Sequence, residues 1–315
     1  MFRKKLLQTL AEYPPARKRR IVLAQETVRI IGEGGYDVGG KRVNVALRRD
    51  AAGLTVHALP AGAALQDLQT NAKYSATYEL EEESTLTAAR RLVDRGLNVC
   101  ALNFASAKRP CGKFLKGIDA QEEDNATNTL LYAALSDESV SKHFSDAPRN
   151  HSLYTDDMLH APHVPVIRND AGDLLEEPWP LSFLSAASPN ANAARRAGCG
   201  ENEIATLYER RADRVLHHLA SFGYDALVLG KWGLEYQNDA LMAAQTWADL
   251  LKGKYAGFFK CVALPLAGKE EERMAFEVVF GIRKLAAVVE APPAGFAGDL
   301  KKRRRHGHAG WITLA

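Results

Sequence analysis

The chain has 315 residues, room for one large domain or two modest ones. With 46% hydrophobic residues, 25% charged residues and a formal net charge of only +3, it is neither a disordered chain nor one whose bulk charge selects a polyanionic partner. Its four cysteines, Cys100, Cys111, Cys199 and Cys261, are widely spaced with no Cys-x-x-Cys pair; this argues against a disulfide scaffold and for a reducing, cytoplasmic setting.

Residues 1–31 read as helical, divided into two helices by Pro14 and Pro15, with Ile21, Leu23, Val28 and Ile31 as apolar positions. Gln8 and Glu12 interrupt the opening before a secretory core forms, and nowhere do about 18 apolar residues run on without a charge. A soluble chain with no signal peptide and no membrane partner is expected. Gly32 to Gly40 reads as a glycine-rich break, and Arg42 to Arg48 and Thr55 to Leu59 as strands. Thr77 to Glu83 mixes β-formers with acids, after which Ser84 caps a helix reaching Arg95.

Leu97 to Leu102 has the short apolar character of a buried strand, and Pro110, Gly112 and Gly117 punctuate the loop behind it. Asp119 then stands as an N-cap before Gln121, Glu122 and Glu123, in a helix starting at Ala120 and carrying Ala126, Leu130, Leu131 and Ala134. Paired carboxylates thus open a helix that faces a small-residue loop.

Ser136 to His151 has no clear period and reads as loop with short helical pieces. Val164 to Arg168 and Leu181 to Ala186 read as strands around the turn Asn169 to Gly172, and Glu203 to Gly223 as an amphipathic helix with Gly223 at its C-cap. Asp225 to Gly230 is a buried-strand pattern feeding the loop Lys231 to Asp239 and a helix over Ala240 to Leu251. Phe258 to Leu264 and Met274 to Phe280 read as two further strands around a charged turn.

Alternating strands and helices of these lengths predict a three-layer α/β domain with a mixed sheet. Ligands of such sheets bind beyond the carboxyl ends of strands, where both loops lie. The expected division is residues 1–76 as an N-terminal extension of helices and short strands, 77–290 as the catalytic domain and 291–315 as a tail. In that tail Lys301 to Arg305 reads either as a solvated basic terminus or as a holder of nucleic acid. His143, His151, His160 and His163 with Asp156 and Asp157 fit no compact ligand motif and read as solvated loop histidines rather than a metal site.

The ordered set Ala24-Gln-Glu-Thr27, Leu102-Asn-Phe-Ala-Ser-Ala107, Gln121-Glu-Glu123, Val164-Pro-Val-Ile-Arg168, Ser188-Pro-Asn190 and Leu227-Val-Leu-Gly-Lys-Trp-Gly233 with Asn238-Asp239 resembles the microbial type of poly(ADP-ribose) glycohydrolase. The resemblance covers roughly residues 17 to 282. It implies an α/β/α macrodomain with an N-terminal helical region, ADP-ribose or ADP-ribosylated protein as partner, and no metal or redox cofactor. The family signature is three glycines, then six to eight residues, then Gln-Glu-Glu. Here Cys111-Gly112-Lys113 stands for the glycines, followed by seven residues. In the second loop, which wraps the diphosphate in the family, Leu234-Glu235 replaces a glycine-bearing centre between Gly230 and Gly233 on one side and Tyr236 and Asn238 on the other.

Cleaving an O-glycosidic bond to ribose needs an acid that protonates the leaving oxygen as an oxocarbenium-like ribose develops. Neighbours on a helix point about 100° apart, so Glu122 and Glu123 cannot share one part. The resemblance makes Glu123 the acid/base, assigns Glu122 to ribose hydroxyls and places Asn103 on the ribose beside the scissile bond. Lys113 reads either as an obstruction or as a cation for a phosphate, Tyr236 as a stacking platform or a half-buried loop aromatic, and Glu235 as a carboxylate that repels a diphosphate unless it points away. Hydrolysis of ADP-ribose conjugates is the leading reading. A module that binds ADP-ribose without cleaving it, and a hydrolase acting on ADP-ribosylated nucleic acid, remain open at this point.

Overall fold

A helix starts at Pro15, where the expected division at Pro14 and Pro15 puts the second of its two helices. α1 (Pro15–Glu33) has Pro14 as N-cap and Pro15 at its first position, where a missing N–H costs nothing, and it ends at Gly34 with φ 66°. The structure, a computed structural model, describes residues 13–65, 67–68, 73–145 and 153–282. The chain before Tyr13, His151 and the basic run Lys301 to Arg305 lie outside the described residues. The glycine-rich stretch expected as a break holds a hairpin, β1 (Gly35–Val38) against β2 (Lys41–Asn44). Its two turn residues, Gly39 and Gly40, have φ 57° and 75°, the left-handed pair that a two-residue hairpin turn requires.

Further along run β3 (His57–Leu59), β4 (Thr77–Glu81), α2 (Thr85–Asp94), β5 (Val99–Phe104), α3 (Gln121–Asn128), α4 (Leu131–Leu135), α5 (Ser141–Ser145), β6 (Met158–Arg168), β7 (Leu174–Ala186), α6 (Ala191–Arg196), α7 (Glu201–Ser221), β8 (Ala226–Val228), α8 (Ala240–Lys252), β9 (Cys261–Pro265) and α9 (Glu270–Phe280). Seven strands form one sheet in the order β3-β6-β7-β5-β8-β9-β4. β7, β5, β8, β9 and β4 are parallel, while β6 and β3 are antiparallel to their neighbours.

Strand β5 shows how the layers form. Val99 and Ala101 enter one apolar cluster and Cys100 and Leu102 the other, because successive side chains on a strand face opposite ways. The first cluster is closed by α1, α2, α3 and α4 and the second by α7, α8 and α9, giving the α/β/α layering the sequence predicts. No helix among the described residues is long and apolar enough to cross a membrane.

The structure corrects several expectations. Met274 to Phe280 belongs to α9, not to a strand. Glu270, Glu271 and Glu272 sit in its first turn, where the helix dipole favours acids, and Phe276 and Phe280 share one face that packs on the sheet. Asp119 does not cap α3. The N-cap is Ala120, with no side-chain bond, and Asp119 instead pairs with Arg20 of α1 at 3.1 Å.

The helix expected to run on through Leu130 stops at Asn128. Thr129 forms a bridge with Val166 and its Oγ1 accepts from Leu131 N–H, so the chain is drawn to the sheet before α4 begins. The N-terminal region is woven into the domain, since β3 forms an edge of the main sheet. His160 is no solvated loop residue: it lies on β6, 7% exposed, stacked on Phe222 and bonded to the Tyr224 hydroxyl at 2.7 Å.

Candidate active site

Parallel neighbours β7, β5 and β8 bring three loops to one edge of the sheet. They are the loop after Phe104, the segment Ser188 to Asn190 and the loop from Leu229 to Asp239. Gln121 fixes α3 beneath them. Its Oε1 accepts from Phe104 N–H at 2.9 Å, and its Nε2 donates to Leu102 O at 2.9 Å and to Thr85 Oγ1 at 3.1 Å. Both ends of the amide are thus taken up by the fold, and Gln121 acts on the site by aligning the acid helix with β5.

Glu122 points inward. It is 4% exposed, its Oε1 accepts from Asn103 Nδ2 at 3.2 Å, and its Oε2 accepts from Ser106 N–H at 2.8 Å. Burial pushes its pKa up to about 8, with Glu123 and Glu235 adding to the rise against the Ser106 and Asn103 bonds. Desolvation therefore outweighs the helix N-terminus, which alone would favour the carboxylate.

Asn103 is fully buried, and its amide donors go to Glu122 and to Ser185 Oγ at 3.1 Å, while its oxygen accepts from Asn125 at 3.1 Å. It holds Glu122 from behind. Sequence reasoning did not identify Ser106, Asn125 and Ser185 as parts of this network, although Ser106 lay inside a quoted motif.

Glu123, one residue on, is half-buried and faces the glycine-position loop. Its Oε1 accepts from Lys113 N–H at 2.9 Å, and its Oε2 has no hydrogen-bond partner among the described residues. Cys111 and Gly112 form the wall opposite, with φ 52° and 56°. The backbone thus keeps a left-handed shape suited to glycine even where Cys111 has replaced it. The Cys111 thiol is completely buried, and that burial, with Glu122 and Glu123 nearby, pushes its pKa well up, so it is held as an unreactive thiol. Lys113 turns its side chain to solvent.

In the second loop Gly230 and Gly233 have φ 62° and 85°. A Cβ on Gly233 would stand 2.9 Å from Asn238 Nδ2 and from Ser188 Cβ. Asn238 is buried and donates to Pro189 O and Gly233 O, both at 2.8 Å, which ties this loop to the Ser188 segment. Trp232 anchors the loop from below through its ring N–H to Ala186 O and its carbonyl to the Tyr208 hydroxyl. Ser188 Oγ and Asn238 Oδ1 are buried here without a partner among the described residues, polar atoms left over at the junction of two loops.

Glu235 is exposed as a residue, and desolvation acts on its carboxyl. This desolvation is the main cause of a pKa pushed up to about 7, against the amides of Glu235 and Gly233 and the nearby Lys231, with Glu272 adding to the rise. The Tyr236 phenol is half-buried; desolvation raises its pKa, and Glu235, Tyr154, Glu122 and Glu123 add to the rise. Glu235, Glu122 and Glu123 thus stand near enough to Tyr236 to act on it, as does Tyr154, which sequence reasoning missed. Two other concavities, of about 470 Å³ beside Tyr74 and Tyr224 and about 1020 Å³ beside Arg168 and Trp179, lie away from the carboxylates. Among the described residues no group of three or more His, Cys, Asp or Glu is placed to hold a metal ion.

The acid helix is tied down from outside as well. Arg168, 1% exposed at the end of β6, donates to Thr127 O, Thr27 Oγ1 and Glu26 Oε2 at 2.8, 2.6 and 2.8 Å, joining the last turn of α3 to α1. Two separate motifs, the Glu26 and Thr27 pair and the strand ending in Arg168, therefore serve one structural purpose.

These features define a macrodomain-like α/β/α fold with a carboxylate pair at the mouth of a loop-lined cleft. A family model described as the microbial-type PARG catalytic domain matches residues 24–169. The crystal structure of poly(ADP-ribose) glycohydrolase from Thermomonospora curvata superposes with a TM-score of 0.73 at 34% identity, over 83% of this chain and 99% of that one. The same enzyme bound to the inhibitor ADP-HPD matches with a TM-score of 0.70 at 34% identity, over 82% and 98%. The enzyme from Deinococcus radiodurans in complex with ADP-ribose matches with 0.62 at 34% identity, over 67% and 86%. No match was found among curated proteins. The chain belongs to the microbial-type poly(ADP-ribose) glycohydrolase family.

Proposed function

We propose that this protein removes ADP-ribose from its polymer by acid-assisted hydrolysis, with Glu123 as the proton donor. The observation that carries the assignment is the different engagement of the two acids: both Glu122 oxygens are bonded inside the protein, while Glu123 keeps one oxygen free at the cleft. In this reading Glu123 gives its proton to the leaving oxygen as the bond to the anomeric carbon breaks. Water then adds its hydroxyl to that carbon and returns a proton to Glu123, so one water is consumed per bond. Glu122, held by Asn103 and Ser106, receives the ribose hydroxyls.

The diphosphate is assigned to the second loop, beside Gly230, Gly233 and Tyr236, with Ser188 Oγ and Asn238 Oδ1 as spare polar partners. Glu235 stands in that path, and its raised pKa of about 7 weakens the repulsion it would otherwise exert. Titrating ADP-ribose calorimetrically while following its release from the polymer tests the whole reading. Binding with release supports it, and binding without release makes the protein a recognition module instead.

A further inference from the structure

Helix α7 carries two polar side chains that the proposed reaction does not use. Tyr208 and Arg211 are three residues apart, which puts them on one face of the helix, and both are completely buried. Each ends on the backbone of a segment beside the site. The Tyr208 hydroxyl donates to Trp232 O at 2.8 Å, inside the second loop. Arg211 Nη1 donates to Ala187 O at 2.6 Å, one residue before Ser188, and its Nη2 donates to Leu153 O at 3.0 Å, one residue before Tyr154. Its Nε donates to Asp156 Oδ1 at 3.0 Å, so the buried charge has a carboxylate beside it.

β7 ends at Ala186, and from there the chain depends on these side chains for its partners. Ala186 O accepts from Ala105 N–H at 3.2 Å and from the Trp232 ring N–H at 2.9 Å, and the next carbonyl, Ala187 O, has Arg211. A guanidinium is a rigid planar fork, so the two carbonyls it bridges are fixed relative to each other. Ser188 Oγ and Asn238 Oδ1, the spare polar atoms at the loop junction, therefore rest on a frame anchored in α7. Glu123 does not share that frame. Its helix α3 closes the other face of the sheet and is aligned by Gln121.

Resting on the proposed placement of the diphosphate, we infer that Arg211 is a positioning residue for ligand affinity. Its guanidinium holds the Ser188 segment at the spacing from the second loop that the diphosphate requires, and it takes no part in proton transfer by Glu123.

The test measures the Kd of ADP-ribose by calorimetry, kcat on saturating poly(ADP-ribose) and Tm for wild type, Arg211→Met, Arg211→Lys and Tyr208→Phe. Kd and kcat are read well below each Tm. In Arg211→Met the Kd should rise about tenfold, the worth of roughly one hydrogen bond to the ligand, while kcat falls by less than about twofold. Arg211→Lys keeps the charge beside Asp156 but lacks the fork, so it should regain Tm more fully than affinity. Tyr208→Phe removes one hydroxyl from the same frame and should also raise Kd with kcat nearly kept; it decides the matter if Arg211→Met does not fold. An unchanged Kd in the folded variants, a kcat loss as large as the Kd rise, or affinity that returns in step with Tm in Arg211→Lys overturns the assignment. Wild type that binds no ADP-ribose overturns the placement of the diphosphate itself, a result distinct from failure of Arg211.

Discussion

A methyl group on Gly112 would stand 2.6 Å from Oε1 of Glu123 and 3.0 Å from Oε2 of Glu122. The glycine that survives in the altered signature is thus the one that leaves space for both acids, and its φ of 56° adds a second demand for glycine. Gly112→Ala should cost about 1 to 2 kcal/mol of stability from the left-handed backbone alone. It should also displace the carboxylates, so kcat should fall more than the stability loss accounts for. Thermal melts and turnover on the polymer check this together.

Cys111 shares the left-handed backbone but has no free thiolate. With complete burial and both acids close by, it should resist alkylation in the folded protein at pH 8, while the half-buried Cys199 reacts first. Mass spectrometry after timed labelling, with and without denaturant, reads this directly.

Glu235 links ligand affinity to pH. As pH rises through about 7 its carboxylate forms beside the proposed diphosphate position, so ADP-ribose affinity should decline across pH 6 to 8.5. Glu235→Gln should remove that dependence and bind tighter at pH 8.5, on the order of tenfold. Calorimetry at several pH values measures both effects.

Stability should respond to pH from two sides. The folded chain holds a proton on Glu122 up to about 8 that an unfolded carboxyl loses near 4.5, so this contribution to stability declines as pH rises between those values and levels off above them. His160 and His218 act in the opposite sense. Burial, aided by neighbouring cationic groups, depresses them to about 3 and about 4, so stability is lost as pH falls below 6.5 and the unfolded imidazoles take up protons. Glu122→Gln should flatten the fall above pH 5. His218→Phe keeps the stack on Phe222 and should flatten the acid fall. Melting curves from pH 4 to 9 separate the two.

Much of this molecule was legible from local pattern. The alternating layers, the Ser84 cap, the long helix α7 and the placement of both loops at strand ends all follow from periodicity and punctuation. The misses have a common cause, which is that tertiary partners overrode local signals. Asp119 looked like a cap but found Arg20, Thr129 was pulled to β6 in the middle of an apolar helical pattern, and α9 was mistaken for a strand because its apolar face is short. Within the site, the acid pair and the glycine positions were visible. The inward commitment of Asn103 and Gln121, and the part of Arg168 in holding α3, depend on contacts between residues 19 to 142 positions apart, which no local pattern encodes.

Arg168 offers a test of that positioning. Arg168→Met should remove the guanidinium bonds to Thr127 O, Thr27 Oγ1 and Glu26, while Thr127 O keeps Thr27 Oγ1 and Glu26 keeps Arg29, and so cost about 1 to 3 kcal/mol. Arg168→Lys should recover part of the stability but not the multiple bonds of the guanidinium, so activity should remain depressed after stability is partly restored. Chemical denaturation and kcat measured side by side distinguish the two.

The central claim is that Glu123, and not Glu122, supplies the proton. The most direct measurement is release of ADP-ribose from poly(ADP-ribose) by wild type and Glu123→Gln, with ADP-ribose affinity determined for both. The account predicts a rate loss of about 10² to 10⁴-fold in the variant with binding nearly retained. A Glu123→Gln enzyme that keeps the wild-type rate would contradict it.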